Sequence, residues 1–110
     1  MKTDYYEENG YMVVVASGKL DTINAPEFTK ILQDVLDKNL PLCMLDLSDI
    51  SFMSSSGLRA LLMGAKTSKA NGTRFVVFGM QELVKEVFEM SGFNNFIDSF
   101  ESKEDVLISL

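Results

Sequence analysis

Two short runs of this chain are apolar at nearly every position: LCMLDL at residues 42–47 and RFVVFG at residues 74–79. A strand with one face in water alternates apolar and polar residues, whereas a run without alternation needs cover on both faces. Such strands sit inside parallel sheets, and parallel neighbours must be joined by a crossover long enough to hold a helix. The chain supplies one. Residues 54–71 place Leu58, Leu61, Leu62 and Ala65 on a single helical face, and Gly72 follows as a stop. Lys66 and Lys69 fall in the last turns, where cations suit the helix dipole.

The same logic extends to both sides. YMVVVASG, residues 11–18, reads as a strand, preceded by a weaker one near residues 4–8 with ENG as the turn between them. NAPEFTKILQDVLDKN carries Phe28, Ile31, Leu32, Val35 and Leu36 at helical spacing. Asn24 fits its N-cap, Glu27 the matching position of a capping box, and Pro26 its first turn. ELVKEVFEMSG predicts a helix with Leu83, Val84, Val87 and Phe88 facing in and Gly92 as terminator. Residues 96–98 predict a short edge strand. SKEDVLISL predicts a last helix capped by Ser102, with Val106, Leu107 and Leu110 packing inward. The order is ββαβαβαβα. It predicts an α/β fold with a mixed, mostly parallel sheet of four to five strands packed against about four helices. No linker divides the chain, so residues 1–110 are expected to form one domain.

Composition narrows the chemistry. With 110 residues, 46% of them hydrophobic, the chain can bury a substantial core. There is no histidine, which removes the commonest general base and the commonest metal ligand. No cysteine pair or acidic cluster has metal-ligand spacing, so no metal or other cofactor is expected. The net charge is −6 and the Lys and Arg residues are scattered, which argues against nucleic acid as a partner and leaves basic surfaces open. No apolar run approaches the roughly 18 residues of a membrane span. The acidic start, MKTDYYEENG, is unlike a secretory leader. The single cysteine, Cys43, sits between Leu42 and Met44 and reads as a buried strand thiol. A cytoplasmic, monomeric protein is expected.

The segment with chemical content is FMSSSGLRALL, residues 52–62, where the chain, past a strand expected to end at Leu47, enters a helix near Ser54. In open α/β sheets, function gathers at such strand-to-helix junctions. Nucleophilic catalysis is disfavoured: Met-Ser-Ser-Ser-Gly is not a nucleophile elbow, and no histidine can act as base. A Ser–Lys pair fails on distance, since Lys66 lies about 16 Å along the helix from Ser55. The phosphate loop of nucleotide-binding proteins is absent too, since the stretch has one glycine and no lysine. Two readings stay open. The serines cap the helix, or one of them receives a phosphoryl group at a helix end that favours negative charge.

LDLSDISFMSSSGLRALL resembles the signature of bacterial anti-sigma factor antagonists, founding members of the STAS domain: a hydrophobic strand, a connector with an aromatic–Met pair, then Asp-Ser-Ser-Gly-Leu. SGKLDTINAPEF is similar to that family's Gly-x-Leu-Asp segment, and VFEMSGFNNFI to the ending of its third helix. The resemblance implies a partner switch. An unphosphorylated antagonist binds an anti-sigma factor that is also a serine kinase, and a sigma factor is freed. Phosphorylation of the serine two before the glycine breaks the complex, and a metal-dependent serine phosphatase restores it. Carried over by position, Gly57 is the motif glycine and Ser55 the phosphoacceptor, with Ser56 and then Ser54 as second choices. Ser54 stands where the family has aspartate; serine retains the cap and loses the charge. Asp21 falls on the same partner-contacting end, together with Met53 and Phe52 as an apolar rim or as packing under the helix. Arg59, one turn beyond Ser55, is placed to meet a phosphate or the partner. Asp46 is expected to orient loop amides, and Asp49 to lie in the loop. The resemblance also admits a related setting, an interaction module in a stressosome-like scaffold or a membrane-transporter accessory subunit.

Overall fold

The structure, a computed structural model, describes residues 1–110. Strands β1 (Lys2–Glu8) and β2 (Tyr11–Leu20) pair antiparallel, with Glu8 opposite Tyr11. The two residues between them, Asn9 and Gly10, have φ of 49° and 84°. A two-residue hairpin of type I′ needs positive φ at both positions, which is why Asn-Gly serves there. Then follow α1 (Ala25–Leu36), β3 (Leu42–Met53), α2 (Ser55–Asn71), β4 (Arg74–Phe78), α3 (Glu82–Met90), a 3₁₀ turn (Phe93–Asn95), β5 (Asp98–Phe100) and α4 (Lys103–Ile108). The expected α/β order is the observed one.

Strand order across the sheet is β1-β2-β3-β4-β5, with β2 to β5 all parallel. Each crossover steps one strand in the same direction. Right-handed crossovers taken in one direction put every connecting helix on the same face, so α1, α2 and α3 share one side. Beneath them lies a cluster of 21 buried residues. The strands contribute alternate positions to it: Met12, Val14 and Ala16 from β2, Cys43, Leu45 and Leu47 from β3, Phe75 and Val77 from β4. The intervening Tyr11, Val13, Leu42, Met44, Val76 and Phe78 point to the other face, where α4 closes a smaller cluster through Val106. That two-sided burial is what the unbroken apolar runs demanded. Each fully buried Leu, Ile or Phe contributes about 1.5–3 kcal/mol on transfer from water. Cys43 is buried in the larger cluster, and burial pushes its thiol up to about 12. No helix is long and apolar enough to cross a membrane.

Several local expectations fail. β3 does not stop at Leu47 but runs on to Met53, so Asp49 is a strand residue opposite Ser17 and not part of a loop. β4 accompanies β3 only as far as Asp46; beyond it β2 alone supports the strand, with register shifts between Val15 and Ser17 and between Gly18 and Lys19. A pattern reading sees polar Ser48, Asp49 and Ser51 and infers a connector, whereas half-covered strand is what they form. Leu83 and Val87 do not face in; they are 70% and 38% exposed, while Val84 and Phe88 carry the contact. A helix on a sheet buries a stripe, and neighbouring residues sit ~100° round the helix from it. Toward the C-terminus the same holds: Val106 of α4 is buried, while Leu107 of α4 and Leu110 beyond its end are exposed. The edge strand begins at Asp98, because the 3₁₀ turn after Gly92 takes up the chain first and leaves Phe96 exposed.

Candidate functional site

β2 and β3 finish at the same end of the sheet, Leu20 opposite Met53, and the segments that leave them meet there. The Ser54 N–H donates to the Leu20 carbonyl at 2.9 Å. Ser54 itself is extended (φ −85°, ψ 174°), and its Oγ accepts from the Gly57 N–H at 3.2 Å. This is the N-cap geometry that satisfies one otherwise free helix donor. Gly57 makes the junction possible. A Cβ there would lie 2.8 Å from the Leu20 carbonyl oxygen and 2.9 Å from the Met53 side chain. Met53 is accordingly buried under α2, and of the expected apolar rim only Phe52 reaches the surface, at 49% exposure.

The three serines differ because successive helix positions turn ~100°. Ser54 is half-buried and occupied by capping. Ser56 is half-buried, and its Oγ lies 3.2 Å from the Thr22 Oγ1. Ser55 is exposed, and no side-chain hydrogen bond involves it. It opens α2 as the first helical residue, where free N–H groups and the dipole favour negative charge.

Asp21 belongs to the same end, in a role that the pattern had given to Asn24. Its Oδ1 accepts from the Ile23 and Asn24 N–H groups, both at 3.0 Å, and its carbonyl accepts from Ala25. Asn24 precedes α1 but makes no side-chain cap, and its amide donates instead to the Lys19 carbonyl at 2.8 Å. The capping box with Glu27 is therefore not formed. Asp21 holds the β2–α1 turn and so positions Thr22 against Ser56. Thr22 had no sequence signal of its own; only the fold brings it across.

Between the starts of α1 and α2 lies a cleft of about 370 Å³, lined among others by Thr22, Pro26, Ser56, Arg59 and Met63. Arg59 is exposed and belongs to none of the ion pairs. Asp46 orients a strand amide where a loop amide was expected: its Oδ1 accepts from the N–H and the hydroxyl of Ser48, at 2.9 and 2.6 Å, where β3 parts from β4. No group of three or more Cys, Asp or Glu is arranged to hold a metal ion. The site thus offers an exposed hydroxyl, a helix N-terminus and an unpaired guanidinium, with no side chain hydrogen-bonded to that hydroxyl.

A family model described as the STAS domain matches residues 2–106. The chain belongs to the STAS domain family. BtrV of Bordetella bronchiseptica, named as an anti-sigma factor antagonist, is 30% identical to this STAS protein over 104 residues, 94% of this chain and 90% of the relative. An anti-sigma factor antagonist from Mycobacterium paratuberculosis superposes with a TM-score of 0.90 at 22% identity, covering 98% of this chain and 92% of that one. The Bacillus cell fate determinant SpoIIAA in its phosphorylated form superposes with a TM-score of 0.73 at 16% identity, covering 98% of both. At those identities the structural likeness speaks for the STAS fold.

Proposed function

We propose that this STAS protein is an anti-sigma factor antagonist that works by partner switching. Unphosphorylated, it binds an anti-sigma factor that is also a serine kinase, and a sigma factor is released. The Ser55 Oγ then takes the γ-phosphoryl group of ATP, its proton passes to a base on the kinase, and ADP leaves. A metal-dependent serine phosphatase then hydrolyses the phosphoserine, releasing inorganic phosphate and restoring the hydroxyl. One observation carries the choice of residue: of Ser54, Ser55 and Ser56, only Ser55 has an exposed hydroxyl engaged with nothing. The anti-sigma factor antagonists among its relatives, and the existence of a phosphorylated form of one structural neighbour, support the same reading.

Physical chemistry says how the switch acts. A phosphoserine at the first position of α2 adds about −1.5 to −2 units of charge. The helix dipole favours that charge by roughly 0.3–1 kcal/mol, so the fold tolerates it. A partner docking over the same helix start has to strip water from it, and the desolvation penalty is several kcal/mol per ion unless the partner supplies an opposing charge. The second effect exceeds the first. Phosphorylation therefore acts at the interface and leaves the domain folded. Asp21, Thr22, Ser56 and Arg59 surround the switch, while Gly57 and Met53 act from below by setting the position of α2.

Incubation with the cognate kinase and Mg-ATP, followed by mass-spectrometric mapping, tests the assignment. Phosphate is expected on Ser55 and absent from Ser55→Ala. Phosphate nowhere among residues 54–56 would overturn it.

A further inference from the structure

Helix α3 is apolar on a face that the sheet leaves open. Leu83, Val87 and Met90 recur at i, i+4 and i+7 and are 70%, 38% and 81% exposed. Across from them stands Phe52, 49% exposed, near the end of β3. With Met53 and Val84 as floor, these side chains line a groove of about 300 Å³. The groove exists because β4 leaves β3 after Asp46, so the last part of β3 has no strand on that side. None of residues 54–57 lines it.

The groove is acidic along its α3 flank. Glu86 lines it, Glu82 and Glu89 lie beyond it on the neighbouring face of α3 beside Lys85, and none of the three glutamates is in an ion pair. The only cation on α3, Lys85, is held by Glu101 at 3.1 Å. We propose that this groove docks an amphipathic helix of a protein partner, one with apolar residues at i, i+3 or i+4, and i+7, flanked by Lys or Arg. An apolar helix face laid into such a groove is a common recognition mode, and opposite charge at the rim steers encounter and sets register. The charge also selects against other occupants. A second copy docked symmetrically through this face would set Glu82, Glu86 and Glu89 against their own counterparts, and an anionic membrane surface would repel the rim. The proposal stands independently of the Ser55 assignment.

The test is an NMR titration of the ¹⁵N-labelled full chain with a short Leu/Lys amphipathic helical peptide. Two control peptides accompany it: one with Glu in place of Lys, and one of Lys and Ser that has no apolar face. Saturable shifts centred on Phe52, Leu83, Val87 and Met90 are expected with the first peptide alone. Leu83→Ser and Met90→Ser change exposed side chains and so leave the fold intact, and each should weaken binding about tenfold. Glu86→Lys should weaken it about threefold and flatten its salt dependence. Equal binding of the Lys/Ser peptide, shifts spread without saturation over the acidic surface, or indifference to Leu83→Ser would each overturn the proposal. So would sedimentation showing that the protein alone dimerises through Leu83, Val87 and Met90.

Discussion

The hydroxyls of Thr22 and Ser56 lie 3.2 Å apart although 34 residues separate them in the chain. This contact joins the turn after β2 to the start of α2, and it takes Ser56 out of the contest for a free hydroxyl. Because water competes for both groups, the bond is worth little in stability, and its role is to hold orientation. A double-mutant cycle with Thr22→Ala and Ser56→Ala should give a coupling of about 0.5 kcal/mol or less in urea unfolding. A coupling above about 1.5 kcal/mol would mean that the pair is structural and not merely orienting.

Ser54 and Ser55 should separate cleanly in stability measurements. Ser54→Ala removes the acceptor for the Gly57 N–H and should cost about 1 kcal/mol, with Ser54→Asp restoring it. Ser55→Ala should leave unfolding within about 0.5 kcal/mol of the parent, since its exposed side chain makes no cap bond and lies outside the core. Equal losses at the two positions would contradict the division of labour between them.

Gly57→Ala is expected to cost more than either serine change. The added methyl meets the Leu20 carbonyl oxygen at 2.8 Å and the Met53 side chain at 2.9 Å, and the backbone oxygen cannot turn away. Forced overpacking of this kind costs roughly 1–3 kcal/mol. Amide shifts in the variant should spread along Leu20, Met53 and the first turn of α2. A variant as stable as the parent would show that the helix start moves freely on the sheet.

Phosphorylated and unmodified protein should melt within roughly 8 °C of each other, the phosphorylated form being the higher if the dipole acts alone. Affinity for the anti-sigma partner should nevertheless fall at least tenfold, about 1.4 kcal/mol or more. Calorimetry and a binding titration on the same two samples decide this. A collapse of thermal stability on phosphorylation would point to a conformational switch in place of an interfacial one.

A pH dependence should come from the far side of the sheet. The Lys103 ammonium and, secondarily, the Tyr11 hydroxyl bond to the Glu8 carboxylate and hold it below its ordinary value of 4.5. A carboxyl depressed by folding adds stability above its unfolded value, and that stability is lost as pH falls through the lower folded value. Lys103 is raised above 10.5, chiefly by Glu8, so its share is complete below 10.5 and is lost only as pH climbs through the folded value. Glu8→Gln should therefore be less stable than the parent at pH 7, and the gap should close as pH drops below about 4. A gap that stayed constant from pH 7 to pH 3 would rule out the ion pair as its origin. Salt should narrow it at neutral pH, since the pair is partly exposed.

Periodicity sees only what a residue's neighbours along the chain allow. From it came the element order, the parallel core demanded by residues 42–47 and 74–79 and the Asn9–Gly10 turn, because each depends on burial or dihedral preference within one local segment. Periodicity could not say which apolar positions on a helix the sheet would cover. Leu83 and Val84 look alike in the sequence, yet one is 70% exposed and the other 1%. Nor could it foresee that Asp21 and not Asn24 would serve α1, since that choice hangs on the turn bringing the Lys19 carbonyl to the Asn24 amide. The clearest case is the three serines. As letters they are identical, and local rules leave them as cap or phosphosite. Helix phase turns them to different surroundings, and contacts from Gly57, one turn on, and from Thr22, on another element, occupy two of the three hydroxyls. Only Ser55 remains free: the helix start itself occupies Ser54, and for Ser56 the tertiary structure alone supplies the partner, because Thr22 is 34 residues away in the chain.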